Sequence, residues 1–256
     1  MIFVLFILGL CIGSFLNVLI DRLSNGETIL GRSHCDYCKK TLKTLDLIPL
    51  LSFVMLKGKC RYCHKKLSWQ YPVVELITGL LFVISYTSII RIIELPGSKE
   101  LLILRLIIIS GLIVIFFADL KYRIISDEIL VVLLLTTLAY KIFITPGDLI
   151  ISFISGIVLF LIFVGLFAIT RGRGMGLGDV KYVFFMGLLL GFPASVVAFY
   201  IAFLTGAVVS IILIIRGRKR FGQTIAFGPF LVIATIAANF WGDYIWLLFR
   251  RIIGMA

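Results

Sequence analysis

Long apolar segments recur along the whole chain and are separated by short polar stretches. Most of them have about the 20 residues that an α-helix needs to cross the hydrocarbon core of a bilayer. This pattern predicts an all-α polytopic integral membrane protein with about eight transmembrane helices. The predicted segments are 2–20, 72–93, 101–118, 128–145, 148–170, 180–192, 194–215 and 224–249.

The sixth segment, 180–192, is unusually short. As a helix it would be about 20 Å long, against roughly 30 Å of hydrocarbon. It follows the glycine-rich stretch GRGMGLGDVKY at 172–182. We therefore expect its helix to begin inside that stretch, to be re-entrant, or to thin the bilayer locally.

Composition supports the membrane class, since 61% of the residues are hydrophobic. The net charge of +12 could suggest nucleic acid, but the basic residues fall in short loops between apolar segments. Positive-inside bias explains that placement, so the expected partner is membrane lipid and no nucleic acid. The first segment lacks a basic n-region and a cleavage site, which predicts a retained helix. No internal repeat is predicted.

The loops 22–71, 120–127, 171–181 and 216–222 carry most of the 25 lysines and arginines. They are therefore predicted to be cytoplasmic, with the N-terminus outside. The expected organisation is a first transmembrane helix, a cytoplasmic loop domain between helices 1 and 2, and a transmembrane catalytic domain. Their predicted bounds are 1–23, 24–71 and 72–251.

The large loop holds Cys35, Cys38, Cys60 and Cys63 as two C-x2-C pairs. The two thiolates of each pair lie in a tight turn and can bind the same metal ion, and two pairs complete a tetrahedral shell of four sulfurs. Two disulfides and a dithiol redox pair are the alternatives. A cytoplasmic location argues against disulfides. The spacing therefore predicts a zinc site that folds the loop.

Two carboxylates stand at the edges of apolar segments: Asp119 ends the third, and Asp179 begins the sixth. A carboxylate at an apolar boundary is costly and is by default functional. Brought together, the two would share one proton and could activate a water as general base. Two alternatives stay open: Asp179 could cap the sixth helix, and Asp119 could pair with Lys121 or Arg123.

The glycine-rich stretch is not predicted to bind phosphate. It contains neither G-x-x-x-x-G-K-[ST] nor G-x-G-x-x-G, and Asp179 would repel a phosphate. Within the second segment, Glu75 is interpreted as a first-turn acid or as a polar group facing a cytoplasmic pocket. Asn17, in the first segment, could form a hydrogen bond between helices.

Four motifs in order give the chain a family resemblance: GSFLNVLIDRL at 13–23, CDYC…DLIPLLSFVMLKGKCRYC…YPVVELITG, GLGDVK, and AFGPFL at 226–231. They resemble those of the type IV prepilin peptidases, bifunctional leader peptidase/N-methyltransferases of the GxGD class of membrane aspartic proteases. The resemblance implies that Asp119 and Asp179 are the catalytic aspartates. In one departure, Ser126 precedes Asp127 where the family usually has proline.

The resemblance also implies the substrates and the location. The enzyme would cut type IV prepilins or pseudopilins after a glycine, at the cytoplasmic face of the bacterial cytoplasmic membrane. It would then methylate the new N-terminal amine with S-adenosylmethionine, an activity associated with the N-terminal cytoplasmic region. Glu75 and Arg22 match family motif positions and are candidate contacts for S-adenosylmethionine.

Two rival functions remain at this point. A transporter or ion channel would use Asp119 and Asp179 as a cation site between broken helices. A non-catalytic scaffold would use its zinc loop to recruit a partner. For a peptidase, side-chain-free backbone beside Asp179 should admit substrate and Asp119. Bulk at Gly176 or Gly178 should then impair cleavage more than insertion, and Lys181 is expected to snorkel to the interface.

Overall fold

The computed structural model describes residues 1–90, 98–172, 175–217 and 226–252. Within these ranges the regular elements are α-helices with two short 3-10 helices, Thr44–Leu47 and Pro146–Asp148. The predicted all-helical class is confirmed. Residues 91–93 and 224–225 of the predicted segments, and Arg173 and Gly174 of the glycine-rich stretch, lie outside the described ranges. The α-helices are α1 (Ile2–Ser24), α2 (Leu51–Met55), α3 (Gln70–Ile89), α4 (Ser98–Tyr122), α5 (Asp127–Phe143), α6 (Leu149–Thr170), α7 (Leu177–Leu190), α8 (Ala194–Ile215) and α9 (Gly228–Ile252).

Six helices in the described part of the chain are long and apolar enough to cross a membrane: α1, α3, α4, α6, α8 and α9. The chain is therefore a multi-pass membrane protein. The helices α5 and α7, with 17 and 14 residues, are shorter. As expected, α7 begins inside the glycine-rich stretch, at Leu177. Its length is about 21 Å, still less than the hydrocarbon thickness.

The structure divides into two compact units, Met1–Val114 and Ile115–Ala256, with the boundary inside α4. In the first unit α1 packs closely on α3. A Cβ added to Gly9 would lie 2.6 Å from the Cα of Gly79, and one added to Gly13 would lie 2.7 Å from the Cα of Glu75. Small residues thus allow backbone contact between these helices, as in many membrane proteins.

The second unit uses the same kind of packing. A Cβ added to Gly187 of α7 would lie 2.5 Å from the Cα of Gly156 in α6. The helix α7 is also tied to α9, because the buried Tyr182 hydroxyl lies 2.8 Å from Oγ1 of Thr235. These contacts fix the short helix α7 between longer neighbours.

The turn between α4 and α5 also has a definite backbone conformation. The helix α4 ends at Tyr122, and Arg123 follows in the left-handed region with φ +58°. The N–H of Arg123 donates to the carbonyl of Asp119 at 3.0 Å. The chain then enters α5 at Asp127. The last turn of α4 therefore leads directly into a second helix.

Candidate active site and metal centre

Asp179 lies in the first turn of α7, where its carboxylate turns back on the backbone. The N–H of Gly176 donates to Oδ2 of Asp179 at 3.1 Å. The residue is 7% exposed. Asp179 therefore caps α7, which is one of the two alternatives left open by the sequence. The positive end of the helix dipole also stabilises a negative charge there.

Asp119 lies in the last turn of α4 and is 6% exposed. Its Oδ2 atom is buried and has no hydrogen-bond partner among the described residues. Asp179 lies within electrostatic range of Asp119, and so does Arg123. Two buried carboxylates that are 60 positions apart in the sequence thus lie close enough for their charges to interact. Capping of α7 by Asp179 is compatible with this arrangement.

Gly228, the first residue of α9, was not predicted as a site residue. Its backbone lies against the Asp119 carboxylate, and an added Cβ would lie 2.6 Å from Oδ2 and 3.0 Å from Cγ. The motif AFGPFL contains this glycine, but a motif does not show which of its residues faces an aspartate. The contact also directs the N-terminal end of α9, with its partial positive charge, towards Asp119.

Two further contacts hold the start of α7 against the turn between α4 and α5. A Cβ added to Gly178 would lie 3.0 Å from the Cβ of Ile125, so these backbones are close. The Nζ atom of Lys181 lies 2.8 Å from both carboxylate oxygens of Asp127. Lys181 therefore forms an ion pair in the structure. Both contacts set the position of Asp179 relative to the end of α4.

Ser126 occupies the position where the family usually has proline. It is buried, and its hydroxyl donates to Oε2 of Glu128 at 2.6 Å. The turn before α5 is therefore fastened by a hydrogen bond in place of a proline ring.

In the first unit, four cysteines converge as predicted. The Sγ atoms of Cys35, Cys38, Cys60 and Cys63 all lie within 4.8 Å of one another. All cysteines are free, and the Sγ atoms of Cys35 and Cys63 are 3.9 Å apart, so the structure does not contain the alternative pair of disulfides. Four thiols at these distances match the donor set of a closed tetrahedral zinc site.

The two C-x2-C turns are structural copies of each other. The N–H of Cys35 donates to the carbonyl of Lys40, and that of Cys60 donates to the carbonyl of Lys65. Each turn contains one β-bridge, which joins His34 to Thr41 in the first turn and Lys59 to Lys66 in the second. The stretches HCDYCKKTL and KCRYCHKKL therefore form a short internal repeat. This finding corrects the prediction that the chain has no internal repeat.

Basic residues of each turn face the aromatic ring of the other. The Nζ of Lys65 lies 4.7 Å from the ring centre of Tyr37, and the Nζ of Lys40 lies 5.4 Å from that of Tyr62. Both distances are within the range of a cation–π interaction. The contacts are reciprocal, so they join the two turns around the cysteines.

Proton affinity differs among the thiols. Burial by itself raises the pKa of Cys60, but the N–H groups of Cys63 and Tyr62 and the neighbouring thiols lower it overall, to about 7. The N–H of Lys65 lowers the pKa of Cys63, but burial and the neighbouring thiols raise it more, to about 11. The neighbouring thiols therefore titrate together, and the first proton is lost more readily than the last. A bound cation would allow the remaining thiols to ionise.

The cluster borders a cavity of about 600 Å³ in the first unit, which Arg22 and Glu75 also line. The Arg22 guanidinium donates to the backbone carbonyls of residues 28, 29, 30 and 32. Glu75 accepts the N–H of Leu50 at 2.8 Å. Leu50 has φ +59°, an unusual conformation for a bulky residue, and this bond helps to hold it there. Both side chains thus organise the walls of the cavity.

A multi-pass helical membrane protein with two buried carboxylates that interact electrostatically matches the class of membrane-embedded aspartic peptidases. Comparison with known sequences agrees. The profile of the bacterial peptidase A24 N-terminal domain matches residues 7–89, and that of the type IV leader peptidase family matches residues 106–211. The chain belongs to the type IV leader peptidase family.

Relatives from several bacteria match nearly the whole chain, and each is named prepilin leader peptidase/N-methyltransferase. The Bacillus subtilis protein is 34% identical, with 96% of both chains covered. The Aeromonas salmonicida protein is 32% identical over 94% of this chain and 90% of its own. The Burkholderia pseudomallei protein is 28% identical over 94% of this chain and 86% of its own. No solved structure shows a significant match.

Proposed function

We propose that this protein cleaves the leader peptide from type IV prepilins and then methylates the new N-terminal amine. The single observation that carries the peptidase activity is that Asp119 and Asp179, both buried at the ends of two different helices, interact electrostatically. The family membership and the names of the relatives support the same activity and add the methyl transfer.

The chemistry follows from sharing one proton between two carboxylates. The ionised carboxylate accepts a proton from a water molecule, whose oxygen attacks the scissile carbonyl carbon. The protonated carboxyl group donates a hydrogen bond to the carbonyl oxygen as negative charge develops there. When the C–N bond breaks, the leaving amine takes a proton from the dyad. Both groups are then ready for another substrate.

The expected substrates are prepilins or pseudopilins with a short basic leader and an apolar helix. We place the protein in the bacterial cytoplasmic membrane with Asp119 and Asp179 at the cytoplasmic face. The distribution of lysines and arginines among the loops supports this orientation. We further propose that α5 and α7 complete eight transmembrane helices, with α7 needing a locally thinned bilayer.

The second activity is assigned to the region that contains the loop 24–71. S-adenosylmethionine is the methyl donor that an N-methyltransferase uses, and a zinc ion is proposed at the four cysteines. The cysteine sulfurs would fill the zinc shell, so the ion would supply structure and no open position for catalysis. Organisation of the loop by this site supports a role in forming the donor pocket.

Substitution of the two aspartates tests the peptidase. Asp119→Asn and Asp179→Asn should each abolish cleavage of a purified prepilin, as seen by loss of the shorter product on a gel. Asp243→Asn, which changes an exposed aspartate on α9, is the matched control and should cleave normally. Cleavage by folded, membrane-inserted Asp119→Asn and Asp179→Asn variants would refute the dyad and favour a cation-transport or scaffold function.

A further inference from the structure

The short helix α2 in the loop 24–71 is apolar on two sides, and only one of these sides is covered. Phe53 and Leu56 line the cavity of about 600 Å³. Leu51, Val54 and Met55 lie on the opposite side of the helix, because they are spaced three and four residues apart. They are 60%, 72% and 80% exposed. Three neighbouring large apolar side chains on a surface indicate a docking face.

The covered side of α2 is attached to the start of the membrane-spanning helix α3. The ring centres of Phe53 and Trp69 are 5.1 Å apart. A Cβ added to Gly58 would lie 3.1 Å from Cζ of Phe53, so the ring also contacts that backbone. Trp69 continues the helix, since its carbonyl accepts the N–H of Val73 at 3.2 Å. The helix α2 therefore lies beside the first turn of the span.

Trp69 is the first residue of an exposed apolar stripe on α3. Val73, Leu76 and Leu80 follow it at spacings of four, three and four residues, which places all four on one side of the helix. On a membrane-spanning helix such a stripe faces lipid. Tryptophan is typical of the boundary between membrane and water. Trp69, which is 73% exposed, therefore marks the level of that boundary.

Two hydrogen bonds fix α2 at this level. Oε2 of Glu75, a buried residue of α3, accepts the N–H of Leu50 at 2.8 Å, immediately before α2 begins. The start of α3 is itself held by α1, because Nδ2 of Asn17 donates to the carbonyl of Tyr71 at 3.1 Å. The exposed face of α2 is thus held next to the lipid-facing stripe and is continuous with it.

Basic residues border the same face. The N–H of Lys57 donates to the carbonyl of Val54, and that of Lys59 donates to the carbonyl of Leu56, both at 3.0 Å. Both lysines are exposed, and residues 57–66 include five basic residues and no acidic one. An apolar face bordered by lysines matches acyl chains bordered by anionic headgroups. The expected prepilin leader is itself basic, so this border favours lipid over the substrate.

We propose that α2 is an interfacial membrane anchor. Leu51, Val54 and Met55 insert among the acyl chains of the cytoplasmic leaflet, and Lys57 and Lys59 bind anionic headgroups. The proposal rests on the cytoplasmic orientation given under the proposed function. Such an anchor holds the cysteine turns and the cavity at the membrane surface. The amino end of a processed, membrane-embedded pilin lies at the same surface.

Photo-cross-linking of the full-length, zinc-loaded protein tests the anchor. With p-benzoylphenylalanine in place of Val54, mass spectrometry should find adducts with phosphatidylglycerol in vesicles of phosphatidylglycerol and phosphatidylethanolamine. The probe in place of Leu76, on the lipid-facing stripe, is the positive control. The probe in place of Tyr37, an exposed ring of the first C-x2-C turn, is the negative control. Zinc content and prepilin cleavage show that each protein is folded.

A charge variant tests the lysine border. Lys57→Glu should lower the yield of phosphatidylglycerol adducts at residue 54 about fivefold, the effect of one basic charge at an anionic surface. Lys99→Glu is the matched control, because it makes the same change at an exposed lysine in the first turn of α4, on the opposite side of the membrane. Its yield should equal that of the wild-type charge.

Several results would overturn the proposal. Residue 54 could give no lipid adduct while residue 76 does, or residue 37 could react as strongly as residue 54. Adducts of residue 54 with added prepilin, or with a second copy of the chain, would assign the face to the substrate or to a dimer. The orientation is tested separately: protease cleavage of the loop in right-side-out membrane vesicles would refute it, while lipid adducts at residue 54 would still show an anchor.

Discussion

The backbone of Gly228 lies directly against the carboxylate of Asp119. A Cβ atom at residue 228 would come within 2.6 Å of Oδ2, 3.0 Å of Cγ and 3.2 Å of Cβ of this aspartate. Real Cβ atoms do not approach other heavy atoms so closely. The Asp119 carboxylate therefore holds this position only because residue 228 has no side chain.

Gly228→Ala should consequently displace the Asp119 carboxylate. We expect prepilin cleavage to fall roughly a hundredfold, the typical effect of misplacing a reacting group by about 1 Å. Initial rates of cleavage in detergent measure this. Gly165→Ala is the control, because a Cβ there meets nothing within 4 Å. A normal cleavage rate in the Gly228→Ala enzyme would show that this contact does not determine the position of the Asp119 carboxylate.

Gly176 and Gly178 should differ in their tolerance of side chains, although the sequence predicts sensitivity at both. A Cβ at Gly178 would crowd Ile125 at 3.0 Å, whereas one at Gly176 would lie 3.6 Å from Oδ2 of Asp179, an ordinary contact. Gly178→Val should therefore slow cleavage about tenfold or more by shifting α7, and Gly176→Ala much less.

The matched test of this steric cause is a double substitution. Ile125→Ala should restore part of the rate in a Gly178→Ala background, since it removes the atoms that the new Cβ would meet. Both variants should insert into the membrane normally. Failure of Ile125→Ala to restore any activity would point to a different role for Gly178, such as direct contact with substrate.

The ion pair of Lys181 with Asp127 should affect cleavage only modestly. Both side chains are at least half exposed, so the pair contributes at most about 1 kcal/mol. We expect Lys181→Glu to slow cleavage by up to roughly fivefold at low salt, and less at high salt because the charges are screened. Combining it with Asp127→Lys should restore the rate. If the cleavage rate of the double variant does not recover, Lys181 does not act on cleavage through its ion pair with Asp127.

The cysteine cluster should determine the metal content of the protein. We expect elemental analysis to find a single zinc ion per chain, lost in Cys60→Ser because a tetrahedral shell then lacks one sulfur. Hydrogen exchange of the two C-x2-C turns should rise in the same variant, since the metal orders them. Cys11→Ser, outside the cluster, should keep its zinc. A zinc-free wild-type protein with protected turns would contradict the assignment.

Much of the fold could be predicted because its cause is local. Apolar segments of helical length, the helix start at the glycine-rich stretch, and the convergence of the C-x2-C turns all follow from neighbouring residues. The short repeat around the cysteines is likewise a local feature, because both copies contain the pattern C-x-Y-C. By contrast, the partners of Gly228, Lys181 and Asn17 lie far away along the chain, and no local pattern identifies them.

The sequence by itself determined the multi-pass helical class, the pairing of four cysteines in two C-x2-C turns and the two aspartates at apolar edges. Tertiary structure alone decided that the charges of these aspartates interact, because proximity across 60 residues depends on how α4, α7 and α9 pack. It also decided that Arg22 and Glu75 hold backbone groups while Asn17 donates to the carbonyl of Tyr71. Hydrogen bonds are short-ranged and directional, so only the packed helices determine which polar groups pair with each other.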